Sequence, residues 1–281
     1  MNIIRTPFTH LSASGKINGD IHHANGALKR KGRIVFAHGY KGFKDWGAWE
    51  LMGDVMALEG WDFVRFNFSH NGHVEPDMLD CADEKAWSEN TYSIEKLDLE
   101  SILEFTRDGM SLESEKLIVI GHSRGGGIAS LAASSVKVDG LVLLASVCDF
   151  ESRFPNGDSL EQWRSTGKWE ILNGRTKQIL HHSFKFYEDF MENRESLNIE
   201  KAVRSLTSPV LVIHGDSDPA VNISEGRKLL DWANDGELFV IQGAAHTFGA
   251  KHPWEPKELP SHTLEVVNAI KKFISKVYIE K

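Results

Sequence analysis

Short apolar runs alternate along this chain with longer stretches in which apolar residues recur every three or four positions. The runs at 33–37, 62–67, 116–120, 140–146, 209–214 and 237–241 are rich in Val, Ile, Leu and Phe. Such runs read as buried strands. Between them, residues 47–59, 93–108 and 224–234 have helical spacing. A closing helix over 261–277 shows Leu264, Val267, Ile270, Phe273 and Ile274 on one face. Strands alternating with helices predict an α/β fold, a mostly parallel central sheet with helices on both faces. Residues 1–32 are more polar and predict one or two antiparallel strands at the sheet edge. The alternation stops between Asp149 and Ser208, where no strand pattern shows and helical spacing appears around 178–192.

One strand end carries chemistry. Leu117-Ile118-Val119-Ile120 leads into Gly121-His122-Ser123-Arg124-Gly125, and small residues and helix formers follow. Strand, G-x-S-x-G, helix is the context of a nucleophile elbow, in which a serine sits on a strained turn with its hydroxyl projecting. Ser123 is therefore the candidate nucleophile. His122 is adjacent but should point away from it.

Three other strand ends carry polar motifs. The strand at 33–37 runs into HGYKG (38–42), the strand at 209–214 into HGDSDPAV (214–221), and the strand at 237–241 into GAAH (243–246). With GHSRGG (121–126), these motifs resemble those of the α/β-hydrolases. The flavour is that of small bacterial carboxylesterases and serine-aminopeptidase-like hydrolases. The likeness covers the chain from about residue 30 to its end. It implies an α/β-hydrolase fold with a helical cap inserted at 149–208, and a core made of 1–148 and 209–281.

The resemblance also assigns roles. His246 is the base, in preference to the later His252 and His262. Asp218 is the acid, matching H-G-x-x-D-x-x-V, and Asp216 is a turn former bonded to its own backbone. The backbone N–H groups of Tyr40 and Arg124 make the oxyanion hole, and His38 holds its loop by a structural hydrogen bond. The aromatics of the cap, Trp163 and Phe186 among them, either line the substrate cleft or glue the cap to the body. Arg124 opens a helix, where the dipole disfavours a cation. A carboxylate from the cap or neighbouring loops, or from the substrate, should compensate. The implied activity is ester hydrolysis through an acyl-enzyme. Amide or peptide hydrolysis, a binding protein without turnover, and a cofactor-free peroxidase or lyase-like use of the same site are the alternatives.

Composition narrows this further. A chain of 281 residues that is 41% hydrophobic can bury a large core. A net charge of −8 argues against nucleic acid or an anionic membrane as partner, and the resemblance implies a small-molecule ester instead. The oligomeric state is not legible. The N-terminal segment has no long apolar stretch, and Cys81 and Cys148 make no framework. Both observations point to the cytoplasm. The pairs His22-His23 and His181-His182 lack the spacing of metal ligands. No P-loop or G-x-G-x-x-G is present, so neither metal nor other cofactor is expected. Lys41, Lys44 and Asp45 read as a solvated loop, and Ser69-His70-Asn71-Gly72 as a turn.

Overall fold

The computed structural model describes residues 2–26, 30–74, 80–110 and 115–279. Met1 and residues 27–29, part of the stretch expected at the sheet edge, lie outside the described residues. The strands are β1 (Ile3–Leu11), β2 (Lys16–Ala24), β3 (Gly32–Ala37), β4 (Trp61–Phe66), β5 (Lys116–His122), β6 (Gly140–Leu144), β7 (Lys168–Leu172), β8 (Ile179–Ser183), β9 (Val210–Gly215) and β10 (Gly236–Ile241). The helices are α1 (Trp49–Leu58), α2 (Glu84–Glu89), α3 (Tyr92–Asp108), α4 (Arg124–Ser135), α5 (Gly157–Thr166), α6 (Lys185–Glu192), α7 (Ile199–Ser205), α8 (Ile223–Trp232) and α9 (Ser261–Ile279).

Eight strands form one sheet in the order β1-β2-β4-β3-β5-β6-β9-β10. From β4 to β10 every pairing is parallel, whereas β1 and β2 add antiparallel pairings at one edge. The inner strands read as unbroken apolar runs because helices cover both faces. Successive side chains still point to opposite sides. In β5, Leu117 and Val119 enter a core with Leu99, Leu103 and Ile128, on the side of α3 and α4. Ile118 and Ile120 enter the opposite core with Met52, Val266 and Ile270, on the side of α1 and α9. Thr91 starts α3 by accepting the Ile94 N–H at 3.2 Å, a side-chain cap. Among the described residues, no helix is long and apolar enough to cross a membrane.

Three local expectations need correction. The 149–208 segment contains a hairpin, β7 paired antiparallel with β8. Its pattern was obscured because the strands are short and because a histidine, His182, takes an inward position that an apolar residue would otherwise mark. The helical spacing expected over 178–192 accordingly begins only at Lys185. Lys44 is not in a solvated loop. It is buried, with Nζ 2.9 Å from Asp20 Oδ2 and 2.8 Å from Asp45 Oδ2. Asp20 also accepts from Arg65 Nε at 3.0 Å, and its Oδ1 lies 2.9 Å from His22 Nε2. Charges so deep are tolerated because each is paired. Lys41 is half-buried rather than solvated.

His38, His122 and His182 are buried with exposures of 4%, 7% and 0%. Desolvation of the charged ring pushes their pKa values down from 6.5 to about 4, about 3 and about 3. The native protein keeps these rings neutral while the unfolded chain protonates them near the ordinary histidine value. Their contribution to stability is therefore complete above about pH 6.5 and is lost as pH falls towards the folded values. Each ring should cost about 1 kcal/mol per pH unit across that window. Urea unfolding between about pH 7.5 and pH 5 should show a midpoint that falls with acidity. A midpoint flat over that range would contradict the neutral assignment.

Candidate active site

β5 ends at the centre of the sheet, and Ser123 follows it at φ 56° and ψ −122°. A positive φ is uncommon for a residue with a Cβ and marks local strain. The surroundings hold it there. Ser123 N–H donates to the Leu144 carbonyl at 2.9 Å, and the Ser123 carbonyl accepts from Gly126 N–H at 3.0 Å. Gly125 is required by close approach: a Cβ there would lie 2.4 Å from the His38 carbonyl oxygen. Gly39 lets the loop after β3 press on the elbow, since a Cβ would meet Ser123 Cβ at 2.9 Å.

Two further strand ends bring their loops to the same place. His246 follows β10, and its Nε2 lies 3.0 Å from Ser123 Oγ. Its Nδ1 lies 2.8 Å from Asp218 Oδ2. This geometry fits an imidazole whose Nδ1–H donates to the carboxylate while Nε2 accepts the serine proton. Asp218 follows β9 with a side chain fully shielded from solvent. Burial alone would raise its pKa. Hydrogen bonds from His246 and from the Val221 and Ala220 N–H groups, the latter two at 3.0 and 2.8 Å, outweigh burial and hold it below the ordinary value.

The competing residues fall elsewhere. Asp216 is exposed and accepts the Gly243 N–H at 2.6 Å, so it ties the two loops together rather than bonding its own backbone. His252 Nδ1 accepts the Gly47 N–H at 3.0 Å, and His262 lies on α9. His122 turns away from Ser123 and donates from Nε2 to the His246 carbonyl at 3.0 Å. His38 donates from Nδ1 to the Gly39 carbonyl at 3.0 Å and so braces its loop. His214 donates to the Val221 carbonyl at 2.9 Å and does the same for the Asp218 loop.

Tyr40 sits in the loop against the elbow, and Arg124 is the first residue of α4, so its N–H has no acceptor within that helix. The Tyr40 hydroxyl lies 3.0 Å from His182 Nε2. The Arg124 guanidinium lies 4.0 Å from the centre of the Tyr40 ring and 5.0 Å from that of Tyr92. It pairs with Glu95 at 3.2 Å. The compensating carboxylate thus comes from α3, not from the 149–208 segment or a nearby loop. No local motif pointed to Glu95, which lies on an ordinary amphipathic helix.

Ser123 borders two cavities, of about 630 and about 380 Å³. The larger is lined by the Gly39–Gly42 loop, Trp49, Arg175 and Lys251, among others. The smaller is lined by Tyr92, Phe150, Trp169 and Phe186. Phe186 borders this cavity, although it is itself only 1% exposed. Trp163 does not: it borders neither cavity, is 1% exposed, and its Nε1–H donates to the His182 carbonyl at 3.0 Å. It packs on Trp169 with ring centres 5.1 Å apart, and Trp169 is the tryptophan that reaches the cavity. Among the described residues, no group of three or more His, Cys, Asp or Glu side chains is placed to hold a metal.

The model of a family described as Alpha/beta hydrolase family matches residues 34–256. Among solved structures, a soluble variant of monoglyceride lipase from Saccharomyces cerevisiae is similar, with TM-score 0.74 and 19% identity over 98% of this chain and 96% of that one. Est1E from Butyrivibrio proteoclasticus has TM-score 0.66 and 16% identity, over 97% of this chain and 98% of that one. The esterase domain of a Rhodothermus marinus protein has TM-score 0.65 and 18% identity, over 98% and 99%. At such identities these likenesses establish the fold alone. Among curated proteins none matches the chain. The family match runs from within β3 to beyond the loop that holds His246, and on it the chain belongs to the α/β-hydrolase family.

Proposed function

We propose that the protein is a serine hydrolase that cleaves carboxylic esters through an acyl-enzyme. The observation that carries this reading is the unbroken hydrogen-bond chain from Ser123 Oγ through His246 to Asp218, at 3.0 and 2.8 Å. Ser123 Oγ attacks the carbonyl carbon while His246 Nε2 takes its proton. Asp218 stays ionised, orients the ring and stabilises the imidazolium. The Tyr40 and Arg124 N–H groups hold the oxyanion, where preorganised donors act most strongly. His246 then protonates the departing alcohol. A water, deprotonated by the same nitrogen, releases the acid.

Cavities of about 630 and 380 Å³ beside Ser123 suit the two arms of a small-molecule ester. The 149–208 segment serves as a cap, since Trp169 and Phe186 reach the smaller cavity and His182 meets Tyr40. We place the protein in the cytoplasm, because Cys81 and Cys148 are both free, buried thiols.

Fluorophosphonate labelling at Ser123, with turnover of para-nitrophenyl acetate, tests the reading directly. Ser123→Ala and His246→Ala should each lower kcat by at least about a thousandfold, and the double mutant should be little worse than either. Additive losses would show that the two do not act as a unit. Asp218→Asn should cost about a thousand- to ten-thousandfold, and Asp216→Asn less than about tenfold, since its bond to Gly243 is structural.

The two aromatics of the cap should separate. Phe186→Ala should reorder preference across a series of acyl chain lengths while sparing acetate esters. Trp163→Ala should lower stability by about 3–5 kcal/mol and leave the order of preference intact. A reordering by Trp163→Ala, measured where the variant is folded, would return that residue to the cleft.

A further inference from the structure

The protein is acidic, with 40 Asp and Glu against 32 Lys and Arg, yet among the described residues the Lys and Arg side chains lining the cleft around Ser123 meet no lining carboxylate. The larger cavity is lined by Lys41, Arg175 and Lys251, and the smaller by Lys41, Arg124 and Arg153. Among the described residues, no Asp or Glu lines either cavity. Asp218 is the nearby carboxylate, but it is shielded and bonded to His246. Three of these cations have protein partners: Arg124 pairs with Glu95, Arg153 with Glu225, and Arg175 lies 5.2 Å over the Phe43 ring.

Lys41 differs from them. It borders both cavities and follows Tyr40 directly. It is half-buried, and its backbone is held at φ 57°. Among the described residues it forms no ion pair, and the charge beside it is the like charge of Arg124. Desolvation and that neighbour both disfavour its cation and lower its pKa from the ordinary value. Among the described residues the protein compensates this cation through the face of the Tyr40 ring, 5.5 Å from Nζ, and sets no counter-charge beside it. An anion entering the cleft would supply that counter-charge. A cavity lined by one sign of charge also concentrates ligands of the opposite sign, even on a protein of opposite net charge.

We propose that this cleft selects esters bearing an anionic oxygen group, carboxylate or phosphate, and that Lys41 reads that charge. The inference rests on the ester-hydrolase reading and narrows its substrate class. Because Lys41 borders both cavities, the anion belongs on an arm of the ester that passes Lys41, away from the scissile carbonyl that Tyr40 and Arg124 would hold.

The test compares matched esters on the intact protein at low ionic strength. On the alcohol side, para-acetoxybenzoate and para-acetoxyphenyl phosphate are set against methyl para-acetoxybenzoate. On the acyl side, mono-para-nitrophenyl adipate is set against para-nitrophenyl hexanoate. In at least one arm, kcat/KM should favour the anionic ester by roughly tenfold or more, and added salt should erode the preference. The carboxylate and phosphate probes identify which anion is preferred. Lys41→Met should collapse the ratio of anionic to neutral turnover, and Lys41→Arg should retain it. That ratio does not move if Lys41 merely shapes the loop.

Equal or better turnover of the neutral ester in both arms would overturn the proposal, as would an anionic preference unchanged in Lys41→Met. Calorimetric binding to the wild-type protein of para-hydroxybenzoate and para-hydroxyphenyl phosphate against methyl para-hydroxybenzoate, and of monomethyl adipate against methyl hexanoate, decides the matter without turnover. Tighter binding of the anion in at least one pair supports the anion site, and equal or weaker binding in every pair refutes it. Should no ester at all be hydrolysed, the ester-hydrolase reading fails by itself, and the binding comparison still decides the anion site.

Discussion

The strained turn at Ser123 is the constraint around which this molecule is arranged. A serine at φ 56° is unfavourable in isolation, by about 1–3 kcal/mol. It persists because β5 lies mid-sheet, with β3 and β6 fixing both its sides. The turn also lets α4 run back against the sheet with Gly125 close beneath the end of β3. Parallel pairing then does the rest of the assembly. All strands from β3 onward in the main sheet end on one side, so the loops after β3, β5, β9 and β10 meet at one place. That is the geometry by which open α/β sheets gather a site at their carboxyl ends.

Loops meeting at one place do not by themselves give a fixed geometry. Here neutral histidines act as struts. His38 braces the Gly39 carbonyl, His122 the His246 carbonyl, and His214 the Val221 carbonyl. Burial lowers the pKa of all three, so each remains a neutral ring with a defined donor nitrogen. A fourth, His182, extends from the β7–β8 hairpin to the Tyr40 hydroxyl and packs against both Trp87 and Tyr40, which also stack on each other. Through it the 149–208 segment touches the loop assigned to the oxyanion. The segment therefore reaches the surroundings of Ser123, where its Trp169 and Phe186 also border the smaller cavity.

Charge is handled in the same economical way. Arg124 stands at a helix N-terminus, where its cation opposes the dipole. Glu95 and the faces of Tyr40, Tyr92 and Phe186 compensate it. Cation–π contact is strongest when desolvated, as here. The same aromatics form much of the smaller cavity, so the group that settles the arginine also shapes the apolar wall beside Ser123.

The sequence by itself determined the α/β class, the edge position of the N-terminal strands and the serine turn at Ser123, while its resemblance to the α/β-hydrolases singled out His246 and Asp218. The class and the turn are local features. Two-residue and 3.6-residue periodicities declare the elements, and a glycine-flanked serine after an apolar run declares the turn. Only the tertiary structure decided which residues surround them. Glu95 as the partner of Arg124, Trp169 rather than Trp163 at the cavity, the hairpin within 149–208, and Lys41 between two cavities all depend on contacts between distant segments. An aromatic in a cap or a lysine in a loop carries the same local pattern whether it faces solvent, core or cleft, because burial is fixed by what packs over a residue and not by its neighbours in sequence.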